Sequence, residues 1–250
     1  MSIFAPDKSD SEMKRSLIAI LALAVLLTSC SKQAAVIIYE AIVTVKGNSS
    51  TCYLQLDDNT VLNPTNIESN PYSGARTRAR VYYQDNGEAS QSGGTTKRSV
   101  TVLQLDSILT KAPVPNLGEE RNDEEYGTAP LDIYSSYYTT VVDGFVTLHF
   151  SGMIGSLTTQ IKHSFNLVRD VDSDDPLCFE FRHDYNEDIL APQGYESSGI
   201  VAFDISEILA SLDASSYDIT IRYTSLESGA EKSLEFHYTP GITATPTSNN

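Results

Sequence analysis

From Val36 to Tyr238 the chain is cut into short β-branched and aromatic runs, each closed by residues that favour turns. Cys52, Leu54 and Leu56 alternate with Tyr53 and Gln55. That period of two puts one set on a buried sheet face and the other outside. Val36 to Val45 reads as a long β-branched strand, ended by the turn residues Gly47 to Ser50. Asp57 to Asn59 turns the chain into Val61 and Leu62, and a loop containing Pro64 and Pro71 follows. Ala79 to Gln84 and Ser99 to Leu105 are further strands. The polar, glycine-bearing stretch Asp85 to Lys97 between them is expected to be a mobile loop. Five short strands in about 75 residues fit a small closed barrel.

Residues 112–130 read as a linker. Ala112 to Gly118 contains Pro113 and Pro115, a stiff and extended composition. The charge run Glu119 to Glu125 has no apolar period. Beyond it come seven strand candidates: Ile133 to Val142, Phe145 to Phe150, Gln160 to Val168, Leu177 to His183, Gly199 to Phe203, Tyr217 to Tyr223 and Lys232 to Tyr238. Such a series predicts an antiparallel β-sandwich over 131–240. The chain has no Trp, so the Cys-Trp-Cys pattern of immunoglobulin domains is missing. Ser206 to Leu212 is a short helix with Ser206 as its cap. The polar tail 241–250 is expected to be disordered.

Ahead of the first strand, Lys14-Arg15 precedes an apolar run of 11 residues, Leu17 to Leu27, and then Thr28-Ser29-Cys30. A bilayer span needs about 20 apolar residues, so this run suits a signal peptide over 1–29. Small residues before Cys30 fit a lipoprotein cleavage site, with Cys30 lipidated and 30–35 serving as tether. Asp7, Asp10 and Glu12 do not suit a basic leader, so Met13 is the expected start.

The net charge of −16 is unevenly spread. Residues 31–111 hold 8 bases and 7 acids, whereas residues 112–250 hold 6 bases and 23 acids. So acidic a second half is repelled by nucleic acid and by anionic membrane surfaces. Arg76, Arg78 and Arg80 alternate on one strand face, which reads as a solvated face rather than a nucleic-acid platform. Cys52 and Cys178 remain after Cys30. An oxidising compartment permits a bridge, but they lie in different domains and two unpaired thiols are the plainer reading.

Three carboxylates, Asp170, Asp172 and Asp174, alternate in a loop, a pattern able to wrap a hard cation such as Ca²⁺. The EF-hand template then needs Gly at its sixth position and Glu at its twelfth. This chain has Asp175 and Phe181 there, so an acidic hairpin loop is the plainer reading. His149, His163, His183 and His237 all fall on expected strands, with His149 and His163 facing each other across a hairpin. None has the close spacing of a zinc site. Gly194 to Gly199 does not meet the nucleophile-elbow spacing, and no phosphate-binding or dinucleotide loop occurs.

Several stretches resemble the NigD-like lipoproteins of Bacteroidetes. These are Tyr53 to Asn66, Arg80 to Tyr83, Val102 to Lys111, Lys162 to Val168, Glu180 to His183 and Gly199 to Ser206. The resemblance runs in order over nearly all the chain after Cys30. It implies an OB-type barrel over 36–111 ahead of the sandwich. Family members carry the provisional description of bacteriocin-immunity proteins, and no ligand residues carry over. Surface-exposed lipoproteins of these bacteria tend to have acidic residues just after the lipidated cysteine. Ser31 to Ala35 has none, which implies the periplasmic side of the outer membrane.

The expectation is therefore an all-β envelope lipoprotein, an OB-type barrel and an antiparallel β-sandwich, without a catalytic constellation or cofactor. It would bind a protein or peptide through residues the sequence does not single out. The alternative is a glycan-binding or structural surface lipoprotein.

Overall fold

A computed structural model describes residues 36–57, 59–158, 161–212 and 214–247. The expected signal peptide, Cys30 and its tether lie outside the described residues.

The front half is a closed five-stranded barrel. Its strands are β1 (Tyr39–Asn48), β2 (Thr51–Leu56), β3 (Thr60–Pro64), β4 (Thr77–Ser92) and β5 (Thr95–Ser107). They follow the order β1-β2-β3-β5-β4, closing on β1, and β3 runs parallel to β5. The alternation read from Cys52 to Leu56 places Leu54 at 0% exposure, in a core with Val43, Val45, Leu62, Val81 and Val100. The stretch Asp85 to Lys97, expected as a loop, is instead a paired extension of β4 and β5. Its tip is Gly93-Gly94, both at positive φ. Backbone pairing holds this arm without buried apolar side chains, so apolar alternation gave no sign of it.

The back half is two five-stranded sheets. The first contains β6 (Leu109–Lys111), β8 (Leu131–Ile133), β9 (Thr140–Val142), β10 (Phe145–Ile154) and β13 (Tyr195–Asp204), in the order β6-β13-β10-β8 with β9 also on β10. The second contains β7 (Val114–Pro115), β11 (Ser164–Arg169), β12 (Cys178–Asp184), β14 (Tyr217–Thr224) and β15 (Glu231–Tyr238), in the order β15-β14-β12-β11-β7. Phe179, Phe203, Phe236, Leu148 and Ile219 fill the space between them. The first expected sandwich strand is broken into β8 and β9. The β9–β10 turn is Asp143-Gly144, with φ of 51° and 75°, the pair of positive angles that a two-residue hairpin requires.

The segment expected as a linker has regular structure. Residues 109–115 cross from one sheet to the other as β6 and β7, and α1 (Glu119–Tyr126) follows. Glu119 and Glu120 lie in its first turn, where carboxylates suit the helix dipole. Asn122, 3% exposed, accepts from the Leu117 amide at 2.9 Å, and the Tyr126 hydroxyl donates to the Pro115 carbonyl at 3.0 Å. Arg182 of β12 meets Asp123 at 2.6 Å. Polar contacts, not an apolar stripe, fix this helix. The helix expected at Ser206 is present as α2 (Ser206–Leu212). The tail is docked as far as Thr247, through backbone bonds of Ala244 with Val141 and of Thr247 with Glu235.

Barrel and sandwich are packed against each other. Ile42 and Ile108 bury against Ala202. The arginine face expected to be solvated is this junction. Arg78 is wholly buried, holding Asp57 at 2.8 and 2.9 Å and the Thr44 hydroxyl at 3.1 Å. Arg76 lies over the Phe145 ring at 4.7 Å and reaches Asp204 at 3.3 Å. Lys46 meets Asp143 at 2.8 Å. The side-chain period was right and its environment was not, because a second domain covers the face.

Candidate functional site

The segment 109–115 seals only one half of the sandwich's side. β6 pairs with β13 at Val201 to Phe203, and β7 pairs with β11 at Val168 and Arg169. Next to these pairs, among the described residues, β13 from Tyr195 to Gly199 and β11 from Ser164 to Leu167 have no strand on that side. A cavity of about 470 Å³ opens there between the sheets. Its walls include Phe150, Met153, Ile154, Ile161 and Phe165, with Ser197, Ser198 and Gly199 of the bare strand edge along one side. Leu157, Ile161, Leu190 and Tyr195 stand exposed in the segments around it, Leu157 and Leu190 both at 62%.

The polar wall is a chain of three side chains. His183 of β12 has no exposed surface, and its Nε2 lies 2.9 Å from Nδ1 of His163. His163, just before β11, turns its Nε2 to Asp188 Oδ2 at 3.2 Å. The same oxygen accepts the Gly155 amide at 2.7 Å. Asp188 thus ties the segment after β10 to the segment after β12. The backbone bond from Gly155 is the main reason its carboxyl sits below the usual range. Burial opposes it, and the His163 bond adds to it. Burial first, and then the charge of His163, pushes His183 down to about 4, so it is neutral at physiological pH. Phe165 stacks on His183 at 4.8 Å and 15°, and Tyr185 meets both imidazoles edge-on.

With Asp188 accepting from His163 Nε2, one shared proton remains between the two imidazoles. Both ring nitrogens of His163 are therefore engaged within the chain. This wall can order the cavity and move a proton internally. It leaves no ring nitrogen of His163 facing a hydroxyl, as activation of a nucleophile requires.

Two lysines stand close to one another at this side. Lys111 of β6 crosses to β11 and donates to the Phe165 carbonyl at 2.7 Å and to Asn166 Oδ1 at 2.6 Å, both neutral acceptors. Burial, with the charge of Lys162 as second cause, lowers the Lys111 ammonium from its ordinary value. Lys162 lines the cavity. Among the described residues no carboxylate pairs with either lysine.

His149 and His163, expected to face each other, do not meet. His149 instead bonds the Ser136 hydroxyl at 3.1 Å among Tyr134 and Tyr138, while His163 finds His183. β10 and β11 lie in different sheets, so no hairpin brings His149 to His163. His237 is on the outer strand β15, 2.7 Å from Asp218. Asp170 is held by Arg169 at 2.5 Å and Asp172 by Arg222 at 3.3 Å, and Asp172 also accepts the Asp174 amide. Among the described residues no three His, Cys, Asp or Glu side chains converge as a metal site. Cys52 and Cys178 are free, in the barrel and the sandwich respectively, and burial raises both thiols.

Family models match both halves, a NigD-like N-terminal OB domain over residues 42–108 and a NigD-like C-terminal β-sandwich domain over residues 113–238. Among solved structures, a protein of Parabacteroides distasonis provisionally described as toxin-related is 27% identical, with a TM-score of 0.60 over 81% of this chain and 94% of that one. A protein of Bacteroides fragilis provisionally described as a lipoprotein is 24% identical, with a TM-score of 0.59 over 82% and 99%. A NigD-like immunity protein of Bacteroides caccae is 17% identical, with a TM-score of 0.55 over 80% and 97%, a likeness of fold. Comparison with curated proteins gives no match. With both halves of the described chain matched in order, the protein belongs to the NigD-like family, an OB barrel followed by a β-sandwich.

Proposed function

We propose that this NigD-like protein is a non-enzymatic binding module of the cell envelope, anchored by lipid at Cys30, whose partner is a protein or peptide. The observation that carries the reading is the unsealed side of the sandwich. An apolar cavity there is bordered by a bare strand edge and by exposed Leu157, Ile161, Leu190 and Tyr195. Contiguous apolar surface next to a cavity is a feature of macromolecular docking. The engaged ring nitrogens of His163 argue for a structural wall over catalysis. The leader pattern before Cys30 and the lipoprotein description of the B. fragilis relative support an envelope location. The absence of acidic residues over Ser31 to Ala35 favours the periplasmic side of the outer membrane. The immunity description of the B. caccae relative makes a bacteriocin-type toxin the first partner to test.

A deletion strain challenged with bacteriocins of neighbouring strains tests the reading. Wild-type protein should restore survival. Ile161→Glu, an exposed change at the cavity, should not, although the variant folds. Equal protection by both would remove the cavity from the function. Labelled palmitate should enter the wild type and not Cys30→Ser. Equal labelling of the two would end the anchor reading.

A second reading has one observation of its own. Tyr137 is 64% exposed and packs on Tyr138, near Tyr134 and His149, an aromatic cluster whose exposed ring a sugar can stack on. Glycan-array binding lost in Tyr137→Ala would favour it.

A further inference from the structure

The geometry points to a defined occupant for the open side of the sandwich, the C-terminal end of a polypeptide whose last side chain is large and apolar. The inference rests on the binding-module reading and gives its partner a chemistry. Three independent features meet at one place. The cavity of about 470 Å³ between Phe150, Met153, Ile161 and Phe165 has room for an aromatic or branched side chain. Tyr195 to Gly199 of β13 has strand backbone with no strand beside it on this side among the described residues, whereas on β11 the Phe165 carbonyl is already taken by Lys111. An extended peptide can take up such bare backbone, whereas a free fatty or aromatic acid has no amides to offer it. Lys162 lines the cavity, Lys111 reaches the Phe165 carbonyl and Asn166 beside it, and no described carboxylate neutralises either ammonium. Uncompensated like charges next to a low-dielectric cavity favour an anion.

The terminal carboxylate would sit against these ammonium groups, the last side chain would enter the cavity, and the preceding residues would lie along β13. The basic and apolar components fix the polarity of the peptide. A cationic peptide terminus would meet the lysines unfavourably, and an internal segment without an acidic side chain would leave them unpaired. Ser197 and Ser198 provide hydroxyls on the edge strand for the peptide's own polar atoms.

Calorimetric titration of the full chain with a short peptide ending in Phe tests this. Its free-acid form should bind, and its C-terminal amide should bind about tenfold or more weakly, the loss of one charge-assisted contact. Lys162→Glu, at an exposed position, should abolish the preference for the acid while leaving the unfolding midpoint unchanged. Ser198→Trp, which places bulk over the cavity, should abolish binding of both forms. Equal affinity for acid and amide, or full binding by Lys162→Glu, would overturn the inference. So would absence of binding by either peptide. Phenylpropionate binding as tightly as the peptide would assign the site to free acids and overturn it as well. Ile161-dependent protection of the deletion strain would survive each of these failures, so the broader reading is judged separately.

Discussion

Arg78 and Asp57 form a two-pronged ion pair at the barrel–sandwich junction, with Nη1 on Oδ1 at 2.8 Å and Nη2 on Oδ2 at 2.9 Å. The guanidinium is wholly buried and the carboxylate keeps 24% of its surface. Arg78 also joins the two halves through its backbone. Its carbonyl accepts from Ile108 and its amide donates to the Thr110 hydroxyl, both at the entry to the sandwich. Removing Asp57 strands a buried cation, so Asp57→Ala should cost about 2–4 kcal/mol, below the range for fully enclosed pairs because the carboxylate is partly wet. Arg78→Met should cost less, since it removes the buried charge. The double variant should therefore be more stable than the two single losses added together. Urea unfolding of the four proteins measures this, and strict additivity would show that the two residues do not act as a pair.

The same junction changes what a protease should find. A sequence reading of 112–130 as a linker expects a cut between Ala112 and Pro130 that frees two domains. The structure has this stretch in β7 and α1, tied to β11 and β12. A broad-specificity protease should instead enter at the exposed Gly93-Gly94 tip, and the clipped chain should still elute as one body. Early cleavage near Glu119 would contradict this packing.

His183 gives a pH dependence whose sign follows from its burial. Its ordinary value is about 6.5 and the fold lowers it to about 4, so the unfolded chain binds the proton more readily. The stability this neutral imidazole permits is complete above pH 6.5. It falls as the pH drops from there towards 4, by an amount on the order of 2–3 kcal/mol. Carboxylates also titrate in that window, so the comparison must be with His183→Asn. The wild type should lose more stability than the variant between pH 7 and pH 4.5. Parallel curves would mean that the imidazole is protonated in the fold, or solvated.

Much of the fold was legible because alternation of apolar side chains reports burial directly. Leu54 and Leu62 in the barrel, and Phe179 and Phe181 in the sandwich, are core residues at the phase the sequence gives them. What alternation misses is structure held by polar contacts. The hairpin arm around Gly93, the helix at Asn122 and the docked tail at Ala244 depend on backbone pairing or buried side-chain amides, and these leave no periodic trace. The candidate site was illegible for another reason. His163, His183 and Asp188 converge only because β11 and β12 pair and the segments on either side fold back. The sole local hint is a histidine at each end of that hairpin, as Phe165 pairs with His183.

Asp188 should control that convergence through the Gly155 amide. Its Oδ2 holds both Gly155 and His163, which flank in sequence the cavity residue Ile161. Asp188→Ala removes the one acceptor that both contacts share. Hydrogen exchange at the Gly155 amide should then speed up about tenfold or more, and the imidazole N–H resonance of His163 should lose its bonded position. Gly155→Ala tests the same contact from the other side, because a Cβ there would stand 2.2 Å from Asp188 Oδ1 and 2.9 Å from the Leu190 Cβ. The carboxylate stays in the chain but must move away. Both variants should loosen the segment at Gly155 alike and weaken whatever the cavity holds, while leaving the barrel's exchange rates untouched. If Asp188→Ala frees the His163 proton and Gly155→Ala does not, the carboxylate holds the imidazole without gripping the segment. The cavity wall would then be set by the packing of Phe150 and Phe165, whose rings lie 4.4 Å apart, rather than by the Asp188 clasp.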